Sequence, residues 1–309
     1  MSKLKIFVTG GAGFIGSAAA KALVDAGHEV TVYDNLSTGK LEVVPAGAKL
    51  IVGDILDQKL LEKVLPGTDV IFHFAALIEA GLSFENPVPF YKTNIDGSIC
   101  LAEAARKTGV GKIIFSSTAA VYKPKDTPLT EKDLTEPENP YGATKLAFEN
   151  ILSAYHNSYG IESVSLRYFN AYGPGELHQP ETHAIPNFIK AVLANKPVPF
   201  YWHGEQIRDF IYIDDLVTAH VLALKVKGFN YYNLGSGEGT KISDLSKIVF
   251  KICGKKSPIS DLGKREGDPQ ILVASYEKAK KELGWEPKVT LEEGLIKTIH
   301  FFQKIKNFS

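Results

Sequence analysis

Short apolar runs rich in β-branched and aromatic residues recur through the first half of the chain. They alternate with stretches whose apolar positions repeat at helical spacing. Leu4 to Thr9, Glu29 to Tyr33, Lys49 to Val52, Val70 to Phe74, Lys112 to Ser116 and Glu162 to Tyr168 read as strands. Ser17 to Ala26, ending at Gly27, reads as a helix, as do Gln58 to Val64 and Asn94 to Lys107. Tyr141 to Tyr159 predicts a longer helix that Pro140 starts. Strands that alternate with helices imply βαβ units and a doubly wound parallel sheet. After about residue 170 the alternation loosens, and Pro174, Pro180, Pro186, Pro197 and Pro199 punctuate the chain. A domain change is expected there, with Ile211 to Leu224 and Tyr231 to Leu234 returning to the sheet. Leu291 to Ile305 reads as an amphipathic surface helix.

Composition narrows the functional classes. Lys+Arg and Asp+Glu both number 35, and no basic run interleaves with aromatic residues, so nucleic acid is not an expected partner. No apolar stretch approaches membrane-spanning length. The apolar run after Lys3 and Lys5 breaks at Thr9-Gly10-Gly11, which reads as a strand rather than a signal peptide. The two cysteines, Cys100 and Cys253, form no CxxC motif and suggest no disulfide framework, so a cytoplasmic protein is expected.

Thr9-Gly10-Gly11-Ala12-Gly13-Phe14-Ile15-Gly16 follows the first strand and opens the first helix. Gly10 permits a tight turn, Gly13 lets backbone approach a pyrophosphate, and Gly16 lets helix and strand pack closely. The helix start then presents free N–H groups and a positive dipole end to phosphate. Asp34 ends the second strand, followed by Asn35. A carboxylate there accepts hydrogen bonds from both ribose hydroxyls and repels a 2′-phosphate, which favours NAD over NADP. Asp54, in Gly53-Asp54-Ile55 after the third strand, is a candidate for the adenine amino group, or else a loop carboxylate or helix cap.

Tyr141 and Lys145 are spaced i, i+4 and share one helix face. A phenol titrates near a pKa of about 10, so a base working near neutrality needs it lowered by ~3, or ~4 kcal/mol. A nearby ammonium and a cationic nicotinamide ring in a dry cleft are expected to supply that together. Upstream, Phe115-Ser116-Ser117-Thr118-Ala119-Ala120-Val121-Tyr122 sits at a strand end, where hydroxyls face the ligand crevice. One of them is positioned to bond the reacting oxygen and pass its proton to Tyr141.

These residues together resemble the extended short-chain dehydrogenase/reductase superfamily, most closely its UDP-glucose 4-epimerase branch. The resemblance runs over nearly the whole chain. It is carried by the glycine loop, His73-Phe74-Ala75-Ala76, Tyr91-Lys92-Thr93-Asn94, the Ser-Ser-Thr segment and Tyr141-Gly142-Ala143-Thr144-Lys145. It continues through Arg167-Tyr168-Phe169-Asn170, Arg208-Asp209-Phe210-Ile211-Tyr212-Ile213-Asp214-Asp215 and Arg265-Glu266-Gly267-Asp268.

The resemblance implies an α/β chain. Residues 1–168, with returns at about 211–234, would form an NAD-binding Rossmann domain; 169–210 and 235–309 would form a smaller mixed α/β domain for the sugar nucleotide. It implies Tyr141 as base, Lys145 as the ribose-holding cation and Thr118 as the catalytic hydroxyl. NAD contacts would come from Gly10, Gly13, Phe14, Ile15, Gly16, Asp34, Asn35, Asp54, Ile55, Ala75, Ala76 and Asn94. Ser83, Asn170, Tyr201, Arg208, Arg265, Asp268 and Leu272 would contact a UDP-sugar. A homodimer through the helices near Asn94 to Lys107 and Tyr141 to Tyr159 is also implied.

Related dehydratases carry Asp-Glu after the Thr, and related decarboxylases a Glu two residues on. Here Ala119 and Ala120 cannot transfer protons, so elimination is disfavoured and 4-epimerisation remains. Leu272 stands where some members carry a Tyr that restricts sugar size, so room for N-acetylated hexoses is expected. Ile78 stands where some epimerases carry Lys, and Lys123 where Gly is usual. Glu176, His178, Glu181 and His183 cluster in sequence, but a loop lacking regular ligand spacing argues against a metal. His73 is expected at a strand end lining the cofactor crevice. The alternatives are UDP-glucuronate epimerisation, 4-keto-sugar reduction, or a non-catalytic NAD-binding regulator; the last does not need Thr118, Tyr141 and Lys145 together.

Overall fold

The computed structural model describes residues 3–177, 183–264 and 269–305. The strands in chain order are β1 (Lys5–Thr9), β2 (Glu29–Asp34), β3 (Lys49–Val52), β4 (Val70–His73), β5 (Lys112–Thr118), β6 (Glu162–Tyr168), β7 (Asn170–Tyr172), β8 (Val198–Phe200), β9 (Ile207–Tyr212), β10 (Phe229–Leu234), β11 (Gly239–Lys241), β12 (Ile259–Asp261) and β13 (Ile271–Leu272). The helices are α1 (Phe14–Asp25), α2 (Gln58–Val64), α3 (Ala80–Glu85), α4 (Val88–Tyr91), α5 (Ser98–Thr108), α6 (Pro140–Tyr159), α7 (Ala184–Leu193), α8 (Ile213–Ala223), α9 (Ile242–Cys253), α10 (Glu277–Leu283) and α11 (Leu291–Lys304).

Seven strands form one parallel sheet in the order β10-β6-β5-β4-β1-β2-β3. The order reverses beside β1, and there the carboxyl ends of β1 and β4 open a crevice. Strand alternation explains why both faces are covered. Ile6, Val8, Val30, Val32, Phe72 and Ile114 enter one core; Phe7, Tyr33, Ile71, Ile113 and Phe115 enter the other. The first core continues without a break to Phe188, Leu245, Trp285 and Phe302, so the C-terminal elements share it. They carry a sheet of β11, β9 and β13, with β7 also on β9, and a β8–β12 pair.

The long helix α6 starts where Pro140 and its cap dictate: the Asn139 side chain accepts from the Gly142 N–H at 2.8 Å. It stops at Gly160, whose φ of 72° the following turn requires. One expectation fails here. Ile211 to Leu224 is not a return to the sheet. The chain finishes β9 at Tyr212 and continues as α8, which buries Ile213, Leu216, Val217 and His220 at helical spacing. The apolar run Ile211-Tyr212-Ile213 carries a strand signal across the boundary, and the helical period begins only with it. The actual return is β10. No helix among the described residues is long and apolar enough to cross a membrane.

Candidate active site

A cleft of about 870 Å³ runs along the carboxyl edge of the large sheet and under the C-terminal elements. The glycine loop forms one wall. Gly10 has a φ of 70°, and a β-carbon on it would lie 2.5 Å from the Ala75 nitrogen; one on Gly16 would lie 2.2 Å from the Gly10 carbonyl oxygen. The loop therefore admits no side chain at either position, and α1 begins at its end with no side chain capping its first N–H groups. Phe14, Ile15, Ala75, Ala76 and Ile55 line the same wall.

Asp34 reaches this wall with both oxygens engaged: Oδ2 accepts from Ala12 N at 2.9 Å and Oδ1 from Leu36 N at 2.8 Å. Further lone pairs remain on each oxygen, so the cradle fits a ribose diol. Asp54 also lines the cleft, but its carboxylate accepts from Leu56 N and from the Asn35 side chain, both at 2.9 Å. The segment Ser37 to Lys40 closes over Asp34, with Lys40 N donating to Ala12 O at 2.9 Å. The motif reading stopped at Asn35 and missed this segment; its Ser-Thr-Gly composition was the available signal.

On the opposite wall Thr118 and Tyr141 meet. Their side chains are hydrogen-bonded, and Thr118 Oγ1 also accepts from Ala120 N at 3.2 Å. Lys145 is buried beneath them. Its Nζ donates to Ser116 O at 2.8 Å and stands 5.9 Å from the centre of the Tyr141 ring. Burial dominates the titration of both groups. It pushes the Tyr141 phenol up to about 12, against the Thr118 hydrogen bond and with the help of the Glu79 charge. It pushes Lys145 down to about 7, against the charge of Glu149. The expected lowering of the phenol is therefore absent from the protein alone, because desolvation outweighs the neighbouring groups.

Several residues named from the sequence stand behind the walls. Asn94 clamps Leu77 through both its backbone groups, at 2.8 and 2.9 Å, and donates to Thr144 at 3.0 Å. Ser83 accepts from Tyr141 N at 3.1 Å and so holds the first turn of α6. His73 does not line the crevice; it is buried between Thr9 and Ser98, at 2.7 and 2.8 Å. Ser98 donates to Asn94 O, so it accepts from His73 Nε2 and leaves Nδ1 to accept from Thr9. Burial, with Lys145 nearby, lowers His73 to about 3 and keeps it neutral.

A second buried layer supports the Tyr–Lys face. Glu149, one turn beyond Lys145, is gripped by two nitrogens of Arg167, at 2.9 and 2.5 Å, and accepts from Ser117 at 2.5 Å. Arg167 also donates to Tyr122, which donates to Asn233, each at 2.7 Å. Ser116 and Ser117 are thus both tied to α6, and Thr118 follows directly. Sequence reading saw Arg167 only as part of a motif.

At the far end Asn170, Tyr201, Arg208 and Leu272 line the cleft. Asn170 donates to Asp209 O at 3.1 Å, and Arg208 is held by the carbonyls of Ile207, Pro269 and Gln270. Phe169, His183 and Glu79 line it too, although the sequence motifs assign none of them to the cleft. Arg265 and Asp268 lie outside the described residues, as do His178 and Glu181; the remaining pair, Glu176 and His183, meets at 2.6 Å. Lys123 forms an exposed ion pair with Glu136 at 3.3 Å.

This sheet order, glycine cradle and Tyr–Lys face define a nucleotide-dependent α/β enzyme, and the chain belongs to the NAD dependent epimerase/dehydratase family, whose model matches residues 6–235. A UDP-glucose 4-epimerase of Corynebacterium glutamicum is 41% identical over 304 residues, covering 93% of this chain and 92% of its own. The UDP-glucose 4-epimerase of Thermotoga maritima, solved with UDP-glucose, superposes with a TM-score of 0.94 at 38% identity, covering 97% of this chain and 99% of its own. The Thermus thermophilus UDP-glucose 4-epimerase in complex with NAD gives 0.91 at 36% identity, covering 98% and 100%.

Proposed function

We propose that the protein is an NAD-dependent isomerase that inverts carbon 4 of a UDP-hexose, UDP-glucose and UDP-galactose first among them. One observation carries the reading: Thr118 and Tyr141 face the same cleft as the glycine cradle, backed by Lys145 and followed by Ala119 and Ala120. Neither alanine can move a proton, which favours epimerisation over elimination. The similarity to epimerases over nearly the whole chain supports the same reading.

The Gly10 to Gly16 loop would hold the NAD pyrophosphate, Asp34 its adenosine ribose and Lys145 its nicotinamide ribose. When bound, NAD accepts the carbon-4 hydride and returns it. Tyr141 takes the proton of the 4′-hydroxyl, assisted by Thr118, and gives it back after the 4-keto sugar has turned its other face. Lys145, and the cationic nicotinamide ring when NAD is bound, would each stabilise the phenolate and oppose the upward push of burial. Asn170, Tyr201 and Arg208, with Arg265 and Asp268, would grip the uridine diphosphate and leave the hexose free to rotate. Binding energy then resides in the nucleotide, away from the atoms that must reorient. Leu272 at this end of the cleft would leave room for an N-acetyl group.

In this reading 169–210 and 235–309 form the substrate lobe, and residues 1–168 with β10 the NAD lobe. A homodimer is favoured by exposed Val88 and Tyr91 on α4, Ile99 on α5 and Tyr159 on α6. The two free cysteines fit a cytoplasmic setting. The test is incubation with a panel of UDP-sugars and no added cofactor, with products identified by NMR. Conversion of UDP-glucose to UDP-galactose is expected. A requirement for stoichiometric reduced cofactor would favour a reductase, and no turnover of any UDP-sugar would favour a non-catalytic role.

A further inference from the structure

Glu79 is a buried carboxylate beside the reacting end of the cleft. It precedes α3, and that helix is tied to Tyr141: Ser83 N donates to Glu79 O at 2.9 Å, while Ser83 Oγ accepts from Tyr141 N at 3.1 Å. The side chain lines the cleft and the residue is only 8% exposed. Oε2 accepts from Ile78 N at 3.2 Å. Among the described residues Oε1 accepts from none, and no cation pairs with the group. The carboxylate faces the cleft with one weak bond to the protein, so its remaining acceptor capacity is open to a ligand. Its charge also opposes ionisation of the Tyr141 phenol.

Given the UDP-hexose reading, on which this rests, we propose that Glu79 accepts a hydrogen bond from a hydroxyl of the neutral hexose and makes the site reject UDP-glucuronate. A hexose hydroxyl supplies the donor that Oε1 lacks. A uronate instead brings a second carboxylate on the carbon next to the ring atom adjoining carbon 4, and like charges in a dry cleft repel strongly.

Calorimetric titration of the NAD-loaded wild-type protein and Glu79→Gln with UDP, UDP-glucose and UDP-glucuronate tests this without needing turnover. The amide keeps the shape and removes the charge. Binding of UDP, held at the far end of the cleft, should be unchanged and reports an intact fold. Glu79→Ala gives the same comparison should the amide disturb α3. Relative to UDP, the variant should bind UDP-glucuronate tighter by about tenfold or more and UDP-glucose more weakly. Wild-type protein that binds UDP-glucuronate as tightly as UDP-glucose, or an unchanged ratio in both variants, overturns the proposal. Failure of wild-type protein to bind any of the three UDP ligands would instead overturn the functional reading.

Discussion

Replacing Lys145 by Met should stabilise the NAD-free protein while abolishing turnover. The ammonium is buried at 2% exposure and keeps one hydrogen bond, to Ser116 O. Its fall from 10.5 to about 7 corresponds to about 5 kcal/mol of unfavourable burial of the charge. Loss of the charge-assisted bond to Ser116 O offsets about 1–2 kcal/mol of this. A net gain of ~3 kcal/mol at neutral pH remains for the methionine variant. The pH dependence is the sharper signature. Between pH 7 and 10.5 the unfolded chain holds a proton on Lys145 that the folded chain releases, so wild-type stability rises across that window. The penalty is fully present below about 7 and gone above 10.5. Denaturant unfolding of both NAD-free proteins across this range gives the difference directly, since every other titrating group is common to both. A wild-type protein more stable than Lys145→Met at pH 7, or parallel pH profiles, would refute the reasoning.

Glu149→Gln leaves the Arg167 charge buried beside a neutral amide, and about 3–5 kcal/mol of stability should be lost in denaturant unfolding; a loss well under 1 kcal/mol would mean the pair contributes little. Gly16→Ala drives a β-carbon to within 2.2 Å of the Gly10 carbonyl oxygen, so the purified variant should carry little NAD, and wild-type NAD content would contradict the cradle. Leu272→Tyr should depress conversion of UDP-N-acetylglucosamine more than that of UDP-glucose; equal effects on both would remove Leu272 from the sugar pocket.

The parallel sheet was legible because each strand is a short run that alternates with a helix, and the glycine loop because its spacing is local. The Tyr141–Lys145 face was legible for the same reason, being one turn of one helix. What escaped depends on register and burial. Ser117 and Arg167 are neighbours across β5 and β6, and only that pairing aims both at Glu149. Nothing in the spacing of 117, 149 and 167 announces it. Asn94 and Ser83 lie within recognised motifs, yet their polar atoms are consumed by Leu77, Thr144 and Tyr141, so they shape the walls from behind. The upward push of burial on the Tyr141 phenol depends on the packing around it, which no local spacing reveals. Glu79 was passed over because a single acid between Ala76 and Ser83 has no periodic or motif signature.

The central claim is that carbon 4 is inverted by a hydride that leaves and returns. Incubation of the protein with UDP-glucose deuterated at carbon 4, followed by NMR of the product, tests it most directly. UDP-galactose that keeps its deuterium at carbon 4 is expected, with no uptake of label when unlabelled substrate is converted in deuterium oxide. Loss of the label to solvent, or no UDP-galactose at all, would contradict it.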